Sequence, residues 1–251
     1  PAARTTEGKN SLIRALGLKI QRIVIDPGHG GHDQGTVGRR GLVEKDLVLD
    51  IAKRLGALVE QQIGCEVVYT RTDDIFIPLE ARTELANGKK ADLFISLHAN
   101  SSRYPRIAGV ETFYLNFTTD RDAMDVAARE NASSNKNVSE LQDVLQRIAR
   151  QEKIDESKEL AKFVQSTMHG FSARYVPGVK NRGVKKAPFL VLVGAQMPSV
   201  LVEIGFLSNS REETLLRRPD HRQKVADALL QGISRYMKSL SHFQVAQAND
   251  E

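Results

Sequence analysis

Apolar residues in this chain fall into two patterns: short continuous runs, and runs spaced three and four apart. Ile23-Val24-Ile25 is continuous and β-branched, which predicts a short buried strand. Asp26-Pro27-Gly28 ends it, and a glycine-rich loop carrying His29, His32 and Asp33 follows. Leu47, Val48, Ile51, Ala52, Leu55, Leu58 and Val59 recur at helical spacing, so a helix begins near Glu44–Asp46 and stops at Gly64. A strand over Glu66–Tyr69, a loop over 70–74 and a helix over Pro78–Ala86 come next, the last opened by a proline suited to a first turn. A continuous run predicts a third strand at Asp92–Leu97, ending in His98-Ala99-Asn100, and Val110–Leu115 a fourth.

The rhythm breaks over residues 117–155. One helical segment runs from about Asp120 to Ala132, a polar loop covers Asn131–Asn137, and a second segment carries Val138, Leu141, Val144, Leu145 and Ile148 on one face. With no strand between them, the stretch reads as a helical insertion; connections this long in compact domains often carry function. Beyond it lie an amphipathic helix over Glu156–Phe171, a basic loop within Asn181–Val193 with a short strand at Phe189–Val193, a buried strand at Ser199–Ile204, and a closing helix over Asp220–Leu240. The expectation is one α/β domain over 21–240, with a mostly parallel central sheet flanked by helices plus the insertion. Residues 1–20 read as a tail or linker and 241–251 as a frayed tail.

Composition narrows the chemistry. Among 251 residues a single cysteine, Cys65, excludes an internal disulfide and any cysteine-rich metal site. No apolar run reaches the length of a membrane span, so no stable membrane insertion is expected. The chain starts at Pro1, which suggests trimming, with a signal or an upstream targeting domain missing. A net charge of +5 suits an anionic polymer or ordinary solubility. The absence of Trp and the scatter of basic residues argue against nucleic acid.

Three residues stand at ends or starts of regular structure: His29, Glu44 and His98. Two imidazoles and a carboxylate make a standard zinc shell that keeps one position open. Glu44 reads equally as a helix-start charge, and each histidine as a polar loop residue; His32 is a rival ligand. Asp26, Asp33 and Asn100 are candidates to orient the ligands. Glu203, a carboxylate inside the apolar run Val200–Ile204, needs either a buried salt bridge, with Arg182 or Lys185, or a task. Arg182 and Lys185 read as anchors for substrate carboxylates or as surface charge. Arg71 and Arg82 read as structural partners of nearby carboxylates.

The stretches Ile25-Asp26-Pro27-Gly28-His29-Gly30-Gly31, Glu44 before a helix, Ile95-Ser96-Leu97-His98-Ala99-Asn100 and Val202-Glu203-Ile204-Gly205-Phe206-Leu207-Ser208-Asn209 resemble the zinc-dependent N-acetylmuramoyl-L-alanine amidases (amidase type 3). The resemblance spans about residues 21–240 and implies an enzyme that cleaves peptidoglycan between N-acetylmuramic acid and L-alanine. It implies His29, Glu44 and His98 as Zn2+ ligands and Glu203 as the catalytic carboxylate; from the residues themselves, Asn100 and Arg182 are the candidate substrate contacts. Residues 117–155 resemble the insertion of the subset that splits septal wall in Gram-negative division, which implies a periplasmic location. There Ala127–Ala132 resembles a blocking helix, with Glu130 as the inhibitory metal ligand and Glu140 as second choice. The Val138–Leu145 face would dock an activator protein, coiled-coil in type with a degenerate zinc-peptidase-like domain, or simply pack on the domain. Rival readings are a non-catalytic wall-binding scaffold and a zinc carboxypeptidase acting on the stem peptide.

Overall fold

A computed structural model describes residues 4–8, 14, 17, 19–134 and 151–241. Its elements are β1 (Arg22–Pro27), α1 (Glu44–Gln62), β2 (Glu66–Tyr69), α2 (Leu79–Gly88), β3 (Leu93–Asn100), β4 (Glu111–Leu115), α3 (Arg121–Glu130), α4 (Gln151–Tyr175), β5 (Val184–Ala187), β6 (Ser199–Phe206), α5 (Ser210–Leu216) and α6 (Pro219–Ser241). The strands form one sheet in the order β2-β1-β3-β6-β4-β5. All pairs are parallel except β4 with β6. The expected α/β class with a mostly parallel sheet is therefore the observed one.

Every residue of β3 and β6 is buried, which explains their continuous apolar runs: both faces of a central parallel strand are covered. Ile23, Ile25, Ile95 and Val202 join a core beneath α1, α4 and α6. Val24, Phe94 and Leu201 point the other way, into a second core that includes α3 residues Ala123, Val126 and Ala127. Each fully buried aliphatic side chain contributes roughly 1.5–3 kcal/mol. α3 is thus packed on the sheet rather than projecting from it. Among the described residues no helix is long and apolar enough to cross a membrane.

Three details differ from the sequence reading. Phe189–Val193 is not a strand: a 3-10 turn spans Leu190–Leu192, and the strand is Val184–Ala187. Pro188 lacks the N–H needed to extend the ladder, and the apolar run is buried without being paired. Lys185 and Lys186 are at home on β5, an edge strand. Helix α5 was not anticipated; Asn209 caps it by accepting from the backbone N–H groups of Arg211 and Glu212. In the stretch read as an N-terminal tail, Arg14 is buried and paired through Nε with Glu156 at 2.7 Å. Glu140 and the apolar face Val138, Leu141, Val144, Leu145 and Ile148 lie outside the described residues.

Candidate metal centre and active site

The carboxyl ends of β1, β3 and β6 lie side by side, and the site is built there. His29 follows β1 with φ 58°, a left-handed turn among glycines. That turn brings its ring against the ring of His98, with centroids 4.8 Å apart. Gly28 allows the approach: a Cβ there would stand 2.3 Å from His98 Cε1. His98 lies inside β3, which runs three residues further than its apolar stretch predicts. Glu44 is the first residue of α1 and is buried. Its Oε2 accepts from the Thr36 N–H at 2.7 Å, and its Oε1 from the Ala99 N–H at 2.9 Å.

Four donor atoms converge: His29 Nε2, Glu44 Oε1, His98 Nδ1 and Glu130 Oε2, all within 4.8 Å of one another. His29 Nε2 is 3.1 Å from Glu44, 3.3 Å from Glu130 and 3.2 Å from His98 Nδ1. His98 Nδ1 is 3.3 Å from Glu44 and 2.8 Å from Glu130. Donors about 2.0–2.1 Å from a tetrahedral zinc would stand about 3.3–3.4 Å apart; five of the six separations here are 2.8–3.3 Å, close to that spacing. The proton count agrees. The other nitrogen of His29 donates to Asp33 Oδ2 at 3.0 Å, so a neutral His29 turns a lone pair toward two carboxylate oxygens. Such a cluster calls for positive charge at its centre.

The titration shifts carry the same message. Burial works against a charge on His29 and His98, yet the neighbouring carboxylates outweigh it. Glu44, Asp33 and Glu130 hold His29 above its ordinary value. Glu130 and Glu44 lift His98 to about 10. For Glu44, burial is again opposed and overcome, here by the two histidines, and its pKa falls. Glu130 is pulled down in the same way, His98 first.

Glu203 is different. It is fully buried, and both carboxylate oxygens lack a hydrogen-bond partner. Burial, then the charge on Glu130, pushes its pKa well up. It is the register partner of His98 on the neighbouring strand. The salt bridge with Arg182 or Lys185, considered from sequence, is not formed: both cations pair with Glu111 instead, at 2.6 and 2.8 Å.

The remaining candidates sort by contact. Asp33 touches His29 as expected. Asp26 touches no donor residue; its carboxylate accepts from Thr70, Ser96 and Arg82, bracing the floor of the loop. Arg82 also donates to the Pro27 and His29 carbonyls. Arg71, expected on a carboxylate, instead donates to the carbonyls of Pro27, Gly28, Lys45 and Asp73. His32 stacks on Phe76, centroids 4.3 Å apart, and is not among the four converging residues. Asn100, offered as an orienting group, reaches neither histidine. Its Nδ2 donates to Glu111 Oε2 at 2.9 Å, and its Oδ1 accepts from Arg129 of α3 at 2.7 Å. Glu111 was missed; its signal was a carboxylate opening the apolar strand Glu111-Thr112-Phe113-Tyr114-Leu115.

Comparison with known proteins follows the same lines. The family model described as N-acetylmuramoyl-L-alanine amidase matches residues 23–235. The chain is 35% identical over 226 residues to N-acetylmuramoyl-L-alanine amidase AmiC of Escherichia coli O6:H1, covering 85% of this chain and 52% of that protein. It is 36% identical over 223 residues to AmiA of Escherichia coli K12, covering 85% and 75%. The chain thus spans about half the length of that AmiC and three quarters of that AmiA. The crystal structure of an N-acetylmuramoyl-L-alanine amidase from Clostridium difficile 630 superposes with TM-score 0.67 at 33% identity, covering 88% of this chain and 99% of that one. With four converging donors, an unpartnered carboxylate on the next strand and this match over nearly its whole length, the chain belongs to the N-acetylmuramoyl-L-alanine amidase family of hydrolases.

Proposed function

We propose that this chain is a zinc amidase that cuts peptidoglycan between N-acetylmuramic acid and the L-alanine of the stem peptide. In this reading it works in the periplasm, at wall splitting during division. α3 holds it inactive until an activator protein engages residues 117–155. The observation that carries the reading is the convergence of His29, Glu44, His98 and Glu130 beside the unpartnered Glu203.

Two imidazole and two carboxylate donors this close together suit zinc. His29, Glu44 and His98 would hold the ion, and Glu130 would occupy the remaining donor position. When bound, the ion supplies Lewis acidity and brings the pKa of a water toward neutrality. Glu203 takes the proton of the attacking water and returns it to the departing amine of L-alanine. Its burial among apolar strand residues raises its proton affinity, which suits that return. Asn100 and Arg182, beside Glu203 on the cleft wall, position the peptide. Glu130, at the last position of α3, blocks the reacting position while the helix stays packed.

The test is the Glu130→Ala chain, assayed for bound zinc and for material released from purified sacculi. The expected result is stoichiometric zinc and faster release of stem peptides that begin with L-alanine. Unchanged basal release refutes Glu130 as the block. Release of single terminal amino acids, or failure to bind zinc, overturns the amidase reading.

A further inference from the structure

Glu111 is a buried carboxylate that the reaction described above does not use. It opens β4, 1% exposed, and pairs in register with Glu203 across the antiparallel β4–β6 ladder. Both of its oxygens are engaged, by three side chains from two stretches of the chain. Oε1 accepts from Arg182 Nε at 2.6 Å and from Lys185 Nζ at 2.8 Å; Oε2 accepts from Asn100 Nδ2 at 2.9 Å. Two cations meet one anion, so the cluster keeps a surplus positive charge. Arg182 spends only Nε on Glu111. Its two terminal nitrogens make no hydrogen bond among the described residues, and its guanidinium carbon lies over the Phe206 ring, 5.2 Å from the centroid.

Arg182 borders a cavity of about 710 Å3. Asn100, Arg182, Lys185 and Phe206 line it together with Asp122, Asp125 and Arg129 of α3. α3 thus brings two carboxylates and one guanidinium to the cavity that Arg182 and Lys185 border. A cavity of this size accommodates a short peptide. The free end of a guanidinium takes a carboxylate by two parallel hydrogen bonds.

We propose that Glu111 is a positioning residue: it draws Arg182, Lys185 and Asn100 into a receptor for a free carboxylate on the peptide side of the substrate. This rests on the amidase reading of the adjacent site. An amide between a lactyl ether and a peptide has carboxylates on its peptide side only, so Arg182 and Lys185 mark where the peptide lies. Remove the charge of Glu111 and the two cations separate, and the guanidinium loses the charge-assisted hydrogen bond that orients it.

The experiment is calorimetric binding of two short peptides that begin with L-alanine, one with free acidic side groups and one with the same groups amidated. The zinc-loaded Glu130→Ala chain is the host. The acidic peptide is expected to bind about tenfold tighter, the scale of a charge-assisted bidentate contact. In Glu111→Gln and in Arg182→Gln that preference should shrink to within about twofold, with zinc content unchanged. Should Glu111→Gln fail to fold, Glu111→Asp keeps the charge but shortens its reach, and should lose the same preference. Equal binding of the two peptides by the host, no binding of either, or a full preference retained in the Glu111 variants overturns the proposal. Release from sacculi is measured separately: binding without release refutes the amidase reading and leaves the carboxylate receptor standing.

Discussion

His98 and Glu203 are register partners on adjacent parallel strands, so their side chains leave the same face of the sheet. One delivers a donor nitrogen to the four-atom cluster; the other brings an unpartnered carboxylate beside it. Strand register, not a flexible loop, sets their separation. β6 cannot slip by one residue without turning Glu203 into the opposite core.

That arrangement makes Glu203→Gln a clean probe. Gln keeps the volume and removes the acid. Hydrolysis should fall by about 10²–10⁴, the usual worth of a positioned acid–base group. Zinc content should not change. The melting temperature should hold or rise, because an unpartnered carboxylate no longer has to be buried. Activity near the parent's would remove Glu203 from the chemistry.

Gly28 leads to a second expectation. A methyl at this position would meet the His98 ring at 2.3 Å, while its backbone N–H is tied to the Leu97 carbonyl at 3.0 Å. The ring must therefore swing. Gly28→Ala should weaken zinc binding by about 10–100-fold, as for other losses of ligand orientation. Competition with a chelator would measure it; unchanged affinity would show that His98 is not held by this contact.

The pair Asp26–Arg82 is buried on both sides at 2.9 Å, and Arg82 also ties down the Pro27 and His29 carbonyls. Arg82→Met would leave Asp26 charged and buried with only two hydroxyl donors, Thr70 and Ser96. The expected loss is about 3–5 kcal/mol by urea denaturation. A loss under about 1 kcal/mol would mean that the loop holds its shape without the pair.

Much of this was legible in the chain. The continuous runs within Ile23–Ile25, Asp92–Leu97 and Ser199–Ile204 predict the central strands, because a strand covered on both faces has no solvent side to show. His29, Glu44 and His98 stood out by their position at element boundaries, and they do converge. Local pattern failed where tertiary context decides. Phe189–Val193 is apolar enough for a strand, but Pro188 and burial in the second core make it a turn. Glu111 opens an apolar strand, but what it pairs with is invisible in the chain, because Asn100, Arg182 and Lys185 come from 11, 71 and 74 residues away. The cations assigned to Glu203 went to its cross-strand neighbour, a distinction one register step apart and beyond any sequence pattern.

The last expectation concerns pH and lies away from the site. His221 packs edge-on to Tyr175 and tilted against Phe171, with centroids 5.0 and 5.1 Å away. Burial, and then Lys224, push its pKa down to about 4. The folded chain therefore keeps this imidazole neutral where the unfolded chain, with an ordinary value of about 6.5, protonates it. Below that value the unfolded state binds more protons, so stability from this group is complete above about pH 6.5 and is lost as pH falls from 6.5 to 4. His221→Phe keeps a ring against Tyr175 and removes the proton. Discounted for solvent screening, the parent should lose about 1 kcal/mol more than the variant over that window, or about 2–4 °C in melting temperature. Parallel melting profiles for parent and variant between pH 4 and 7 would show that His221 binds protons equally in both states.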